Sequence, residues 1–182
     1  MPLDVKRMIA EKFAELLEHE KIEKITVKQL VSECNISRQT FYYHFQDIMA
    51  VVEYLFEQRF EEIFEASMKA DSPEDMLKTV IAFAPKDERL LKHLLPSQRR
   101  DEILRYLLQT FRSYFGKMLR SKGRNLTFTA SDLEITISFY SYGFLGIMLE
   151  NYAGGAGKER DPDILAGQIK RLLSGEILAN ME

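Results

Sequence analysis

The stretch Thr26–Phe45, "TVKQLVSECNISRQTFYYHF", decides the fold of the N-terminal part of this chain. Thr26 and Gln29 have the spacing of a capping box, in which the Thr side chain caps a backbone N–H and the Gln side chain reaches back. Asn35 tolerates the left-handed conformation that ends a helix. Ser37 stands where a second helix needs its N-terminal cap. The stretch therefore predicts two short helices joined by a turn of about three residues, as in a helix-turn-helix.

The second of these helices divides its aromatic side chains between two faces. At about 100° per residue, Phe41 and Phe45 fall on one side, whereas Tyr42 and Tyr43 fall on the other. A tyrosine combines an apolar ring with a hydroxyl that reaches phosphates or base edges. Arginine pairs bidentately with guanine and glutamine with adenine. The outer face therefore predicts a surface that enters the DNA major groove. The alternative is an amphipathic helix whose tyrosine pair packs on another helix.

The candidate DNA contacts lie on this helix and at the start of the helix before it. There the backbone N–H groups after the first cap offer an anion site. His44 is interpreted as a residue that contacts the DNA backbone, not as a general base. The candidates are Thr26, Val27, Lys28, Ser37, Arg38, Gln39, Thr40, Tyr42, Tyr43 and His44.

Composition sets the class of protein without naming a partner. The 182 residues allow one domain, or a small domain fused to a larger one, and 46% hydrophobic residues are too many for a disordered chain. Net charge is −3, and the first 48 residues carry seven Lys or Arg against eight Asp or Glu. A DNA-binding face must therefore be a local feature, because a groove responds to local charge and not to a sum.

Three features of the sequence predict a cytoplasmic protein. The start, "MPLDVKRMIAEKF", carries charges where a signal peptide would be apolar. The longest uncharged run, Ile135 to Leu149, is shorter than the roughly 18 residues that suggest a membrane span, so we expect a buried helix there. The single cysteine, Cys34, fits a reducing compartment and is expected to be a small buried side chain.

Apolar residues recur at spacings of three and four almost throughout, which predicts an all-α protein. Outside the opening stretch, the expected helices and breaks follow in chain order: a helix from about Asp4 to Glu20; a helix capped by Asp47 that reaches about Lys69; a helix opened by Ser72-Pro73-Glu74-Asp75 and ended by Pro85; a short helix within Lys86–Leu95; a helix from Pro96-Ser97 to about Ser121, broken by "KGRN"; a helix from Thr129, capped with Asp132, to Tyr152; the linker "GGAG" at residues 154–157; and a last helix from Asp161-Pro162.

The N-terminal residues resemble the DNA-binding domain of the TetR family of transcriptional regulators. That family's pattern, roughly "G-V-S-x-x-x-[LF]-Y-x-[HY]-F" after a Thr-initiated helix, stands here as "ITVKQLVSECNISRQTFYYHF". Asn35 replaces the usual Gly of the turn. Ile48 stands where the family often has a lysine that contacts phosphate, which predicts weaker binding with a flatter salt dependence. "FYYHFQDI" also resembles the branch of regulators associated with dihydroxyacetone kinase.

The resemblance implies a helix-turn-helix domain at residues 1–47 and a helical ligand-binding and dimerisation domain at residues 48–182. It implies a homodimer, joined through the last two helices, on a near-palindromic operator, with the two half-sites about 34–36 Å or a related offset apart. Repression is the expected mode, with release by a small-molecule effector. The nearly all-apolar helix Thr129–Tyr152 offers a small-residue face for a neighbouring helix, at Ser138, Ser141, Gly143 and Gly146. A helix buried within one subunit is the alternative.

The resemblance also places an effector in the middle of the C-terminal domain. Candidate lining residues are aromatic side chains or methionine, each of which could equally be ordinary core: Phe83, Phe111, Tyr114, Phe115, Met118, Phe139 and Tyr142.

Two other classes of function remain open. A co-regulator that acts mainly through a protein partner would fit the absence of the expected lysine at Ile48 and the negative net charge of the chain. An enzyme is not expected, because His19, His44 and His93 lie far apart and no Gly-rich phosphate loop, metal-spaced set or nucleophile elbow appears. We therefore expect no catalytic residue, no metal, no cofactor and no membrane partner.

Overall fold

The computed structural model describes residues 4–70, 75, 78–81, 88–122, 129–152 and 161–174. These residues form α-helices and one 3₁₀ helix, with no strand among them, so the all-α class is confirmed. In chain order the elements are α1 (Val5–Leu17), the 3₁₀ helix (Ile22–Lys24), α2 (Val27–Glu33), α3 (Arg38–His44), α4 (Ile48–Met68), α5 (Glu88–Leu94), α6 (Arg100–Lys122), α7 (Ala130–Tyr152) and α8 (Pro162–Leu173).

Side-chain caps begin several helices where the sequence placed them. Asp47 Oδ1 accepts a hydrogen bond from the N–H of Ala50 at the start of α4. Thr129 Oγ1 accepts one from the N–H of Asp132, whose carboxylate in turn accepts bonds from the N–H and the hydroxyl of Thr129. These two bonds lower the pKa of Asp132, because they favour the ionised carboxylate. Asp161 caps α8 through the N–H of Asp163.

The expected start of α6 at Pro96-Ser97 is wrong by about one turn, since the helix begins at Arg100. The N–H of Ser97 bonds to the carbonyl of Leu94, and the Ser97 hydroxyl donates to the same carbonyl. Ser97 therefore satisfies the end of α5 first, and a short turn separates the two helices. Helix α1 ends at Leu17, and residues up to Glu20 form a turn.

Several sequence features lie outside the described residues. They are the helix start at residues 72–74, Phe83, Pro85, the break after Lys122 and the linker at residues 154–157.

The structure divides into two compact units. The first contains Met1–Arg59 and Arg89–Thr110, and the second contains Phe60–Glu88 and Phe111–Glu182. Helices α4 and α6 each contribute residues to both units, whereas the sequence-based division falls after residue 47. That division into a DNA-binding and a regulatory domain stays a prediction.

The core of the first unit lies between the three N-terminal helices. Phe13, Leu30 and Phe41, one from each helix, are fully buried. Cys34 is a buried free thiol, and burial raises its pKa. Two further contacts tie α6 and the turn before it into this unit. The hydroxyl of Tyr106 donates to the carbonyl of Glu53 at 3.0 Å, and a Glu23 carboxylate oxygen accepts from the N–H of Gln98 at 2.9 Å.

The core of the second unit is rich in aromatic rings. The Phe111 ring lies edge-on to Phe60 at 4.9 Å between centroids, and 5.4 Å from Phe144. The hydroxyl of Tyr114 donates to Ser67 Oγ at 2.9 Å, and Ser67 donates to the carbonyl of Phe64. The fully buried Ser67 hydroxyl is thereby satisfied, which removes the cost of an unpaired polar group.

Within the described ranges, none of the helices combines the length and the apolarity that a membrane crossing requires.

Candidate nucleic-acid interface

The cap of α2 forms only half of the expected capping box. Thr26 Oγ1 accepts a hydrogen bond from the N–H of Gln29 at 3.2 Å, as predicted. The Gln29 side chain does not reach back to Thr26, so that part of the prediction is wrong. Its Nε2 donates instead to Glu20 Oε1 at 2.8 Å. A carboxylate is the stronger acceptor for this amide, and the bond ties α2 to the segment that follows α1.

The turn between α2 and α3 is a Schellman motif centred on Asn35. Asn35 has φ 51°, the left-handed conformation expected from its sequence position. Its N–H bonds to the carbonyl of Ser32, and the N–H of Ile36 bonds to the carbonyl of Val31. Both bonds satisfy carbonyls that the end of α2 would otherwise leave unpaired. The geometry of the turn is therefore set by local hydrogen bonds.

Helix α3 begins at a side-chain cap and presents two faces. Ser37 Oγ accepts a hydrogen bond from the N–H of Thr40 at 2.9 Å. Phe41 and Phe45 are 0% and 4% exposed, whereas Tyr42 and Tyr43 are 58% and 84% exposed. The predicted division of the aromatic residues by helical phase is confirmed. Among the described residues the tyrosine pair does not pack on another helix, which was the alternative interpretation.

The structure brings the candidate DNA contacts together on α3 and at the start of α2. Each of them is exposed or half-buried. The exposed ones are Thr26, Lys28, Ser37, Arg38, Gln39, Tyr42 and Tyr43, and the half-buried ones are Val27, Thr40 and His44. The Tyr43 ring meets the His44 ring edge-on at 5.0 Å, and Tyr42 meets Phe41 edge-on at 5.4 Å. The outward rings are thus braced by neighbours on their own helix.

A cluster beneath α3 was not singled out from the sequence. The Phe45 ring lies 5.9 Å from Phe41 and 5.7 Å from Tyr54 of α4. The Lys6 ammonium of α1 lies over both the Tyr54 and Phe45 rings. No sequence spacing signals such a contact, because its three members come from different helices.

The candidate effector residues occupy two environments in the second unit. Phe111, Tyr114 and Phe115 are buried and pack against one another and their neighbours. Met118 is half-buried, and Phe83 lies outside the described residues. Phe139 and Tyr142, on α7, are 69% and 61% exposed. The six described candidates therefore differ in exposure, and the role of all seven in binding an effector stays a prediction.

The small residues of α7 do not share one face. Ser141 is fully buried, and its hydroxyl donates to the carbonyl of Ile137. Ser138 Oγ accepts a bond from the Arg112 guanidinium at 2.6 Å. Gly143 and Gly146 are exposed, and an added Cβ would meet nothing at either position. Only the glycines leave room for another helix, so the prediction of a single small-residue face is wrong.

Over the described ranges, no three His, Cys, Asp or Glu side chains come together in an arrangement that could hold a metal ion.

Comparison with known proteins identifies the class of this chain. Residues 71–175 match the TetR family model described as "Transcriptional regulator C-terminal region". The match covers more than half of the chain and lies outside the stretch on which the helix-turn-helix was predicted. The chain therefore belongs to the TetR family of transcriptional regulators.

Solved structures agree with this class at the level of fold. "Dihydroxyacetone kinase operon activator DhaS" is similar over 97% of this chain and 98% of its own, with a TM-score of 0.65 and 17% identity. The TetR family repressor AlkX from Dietzia sp. strain DQ12-45-1b is implicated in biodegradation of n-alkanes. It is similar over 96% of this chain and 95% of its own, with a TM-score of 0.62 and 16% identity. The fatty acid degradation regulator FadR from Bacillus halodurans is similar over 96% of this chain and 97% of its own, with a TM-score of 0.56 and 18% identity. No curated protein sequence matches the chain.

Proposed function

We propose that this regulator binds a specific DNA operator through α3. The observation that carries the proposal is the outward face of that helix. Two exposed tyrosines lie there beside Arg38 and Gln39, while Phe41 and Phe45 anchor the opposite face. An exposed tyrosine pair costs solubility and adds little to the core, so a contact surface accounts for it best.

The side chains divide between the two kinds of DNA contact. Arg38 and Gln39, in the first turn of α3, are the candidates for base edges, since arginine suits guanine and glutamine suits adenine. Lys28, the two tyrosines and the half-buried His44 are the candidates for phosphates. Ser37 Oγ accepts the N–H of Thr40 and lies 2.8 Å from Thr40 Oγ1, so the Ser37 hydroxyl can donate to a phosphate when Thr40 is the donor of that pair.

We further propose that two copies join through α7 and α8. Ile135, Phe139 and Tyr142 are large, exposed side chains whose spacing of four and three residues places them on one face of α7. Ile164 and Leu172 add exposed apolar surface on α8. Exposed apolar side chains grouped on one helix face, as on α7, mark an interaction site. A symmetric dimer presents two copies of α3, which implies a near-palindromic operator.

Repression released by a small-molecule effector is the mode of regulation that we propose. The support is analogy with family members, among which AlkX is a repressor by name. DhaS, an operon activator by name, has a similar fold and belongs to the branch suggested by "FYYHFQDI". A cytoplasmic regulator of a neighbouring metabolic operon is therefore the working hypothesis, and reporter expression with and without the gene determines the sign.

Fluorescence anisotropy with DNA from the protein's own promoter region tests the operator proposal. We expect salt-sensitive binding by the wild type. An Arg38→Ala substitution should weaken it by about 1–3 kcal/mol and relax preference at one base pair. Arg105→Ala, which removes an exposed arginine from α6, is the matched control and should bind like the wild type. Absence of salt-sensitive binding, or an Arg38→Ala/Tyr42→Ala protein that binds normally, would overturn the proposal.

A second candidate function is a co-regulator that acts mainly through a protein partner. The observation that favours it is Ile48, a half-buried apolar side chain at the first position of α4, where the family often has a phosphate-binding lysine. Affinity capture from lysate, with and without nuclease, separates the two functions. A partner that stays bound after nuclease treatment would favour the co-regulator. That the chain is not an enzyme stays a prediction, which a turnover screen would test.

A further inference from the structure

Lys6 of α1 places its charge on the two aromatic rings that hold the C-terminal end of α3. Its Nζ lies 4.4 Å from the centroid of the Tyr54 ring and 5.5 Å from that of Phe45. Both distances fall within the roughly 6 Å of a cation–π contact. In the described part of the chain no carboxylate pairs with this half-buried lysine. The two rings are therefore the partners of the Lys6 charge.

Phe45 is the residue through which this contact reaches α3. Its N–H bonds to the carbonyl of Phe41 at 2.9 Å and closes the last turn of the helix. Its ring then packs against Phe41 on one side and against Tyr54 of α4 on the other. Lys6 of α1 contacts both the Phe45 and the Tyr54 rings. Three helices thus meet at the point where α3 ends.

The contact is with a neutral ring and not with a phenolate. Burial of the Tyr54 side chain, and then the nearby Asp4 carboxylate, raise the pKa of its hydroxyl above the usual range. The tyrosine therefore stays protonated at neutral pH. The attraction is that between an ammonium and the negative face of an aromatic ring.

Helix α3 depends on such anchors because it has only seven residues. A helix this short is unstable alone, so its orientation is set by what holds its two ends. The Ser37 cap holds the N-terminal end, and Phe45 holds the C-terminal end. Tyr42 and Tyr43 lie within one turn of Phe45, so a shift at that end moves both of them.

We propose that Lys6 is a positioning residue for DNA recognition. It fixes the orientation in which α3 presents Tyr42 and Tyr43, acting through Phe45 and Tyr54 and without itself contacting DNA. This inference rests on the proposed function, and it adds to the site a residue from outside the helix-turn-helix.

A Lys6→Met substitution, which keeps most of the side-chain length and removes the charge, tests the proposal by anisotropy over a range of salt concentrations. Binding should weaken about two- to tenfold, the range expected for loss of one cation–π contact. The slope of log K against log salt should stay unchanged. A direct phosphate contact would instead make the slope shallower by about 0.9. Lys6→Arg should restore binding, because arginine also stacks on rings.

Tyr54 supplies the matched variants. Tyr54→Phe keeps the ring and should bind like the wild type, whereas Tyr54→Leu should resemble Lys6→Met. Combining Lys6→Met with Tyr54→Leu should cost less than the sum of the two single losses, because both remove the same contact. Lys12→Met removes a lysine from the same helix that pairs with Glu15 instead, and should leave binding unchanged.

Three outcomes would overturn the inference while leaving the proposed function intact: no loss of binding in Lys6→Met, a shallower salt slope, or full additivity of the two substitutions. Hydrogen exchange of the Phe45 amide in the free protein gives a readout that needs no DNA. The amide should exchange faster in Lys6→Met than in Lys12→Met, and equal rates would overturn the inference as well. If the wild type binds no DNA, the proposed function fails first.

Discussion

At the scale of single residues, the position of Asn35 explains how two short helices are brought into a fixed relation. Its φ of 51° lies in the region that most side chains avoid, and the two hydrogen bonds of the Schellman motif depend on it. Asparagine tolerates this conformation better than other non-glycine residues do. The turn therefore keeps its shape without the glycine that the family usually has.

Substitutions at Asn35 should divide by their tolerance of positive φ. Asn35→Gly should leave the free energy of unfolding within about 0.5 kcal/mol of the wild type, because glycine adopts this conformation freely. Asn35→Val should destabilise the protein by about 1–3 kcal/mol, the cost of holding a β-branched residue there. Urea unfolding followed by circular dichroism measures both values. Equal stability of the two variants would contradict the assigned role of the turn.

At the scale of helices, Glu53 of α4 interacts with several other carboxylates. The carboxylate of Glu53 lies on this helix, where partial burial and then the charges of Glu57, Asp47 and Glu102 raise its pKa. Glu53 also gives its backbone carbonyl to Tyr106, whose ring stacks on Phe56 at 6.1 Å. In this unit the stacked ring of Tyr106 therefore stabilises the packing of α6 on α4, whereas repulsion between the carboxylates opposes it.

Because the pKa of Glu53 is higher in the folded than in the unfolded protein, its ionised form favours unfolding. Stability should therefore increase as pH falls through the folded pKa. Because Glu53 is exposed, the effect is small: Glu53→Gln should raise Tm slightly at pH 7, where the carboxylate is charged, and the gain should disappear near pH 4. Calorimetry at the two pH values measures this, with Glu65→Gln, an exposed position on the same helix, as the control. A gain that is equal at both pH values would contradict the assignment.

The contact between the 3₁₀ helix and the turn before α6 changes stability with pH in the opposite direction. The bond from the N–H of Gln98 lowers the pKa of Glu23, so this contact stabilises the fold at neutral pH and weakens below the ordinary range of a glutamate. Both residues are exposed, which keeps the contribution small. Such a contact specifies the position of the turn more than it adds to stability.

At the scale of the whole molecule, the exposure of an apolar face on α7 needs an explanation. A helix that is apolar nearly all round is expected to be covered on both sides, yet Ile135, Phe139 and Tyr142 are exposed in one copy of the chain. The exposed Gly143 and Gly146 allow the backbone of another helix to approach closely. A second copy of the chain meets both requirements, because the same face on each copy can pair by two-fold symmetry.

A charge placed on this face should prevent dimerisation. We expect the wild type to have twice the 21.2 kDa mass of one chain by light scattering, and Phe139→Glu to be monomeric. Gln109→Glu, which adds the same charge at an exposed position of α6, should remain dimeric. The monomer should also bind operator DNA much more weakly, because it engages one half-site at a time. A dimeric Phe139→Glu protein would exclude this face as the interface.

Much of the fold and part of the candidate site follow from interactions between residues that are close in sequence. The caps at Ser37, Asp47 and Asp161 join atoms two or three residues apart. The resemblance to the TetR family also rests on one stretch of this kind. Local rules failed where a side chain had a better partner elsewhere, as Gln29 did in Glu20.

The all-α class, the two-helix motif and the outward face of α3 therefore follow from the sequence alone, because helical period and capping act within about four residues. The tertiary structure decided which apolar residues of α7 stay exposed, how Ser141 and Gly143 come to lie in different environments, and that Lys6 meets Phe45 and Tyr54. These outcomes depend on how segments distant in sequence pack, and no local pattern encodes that packing.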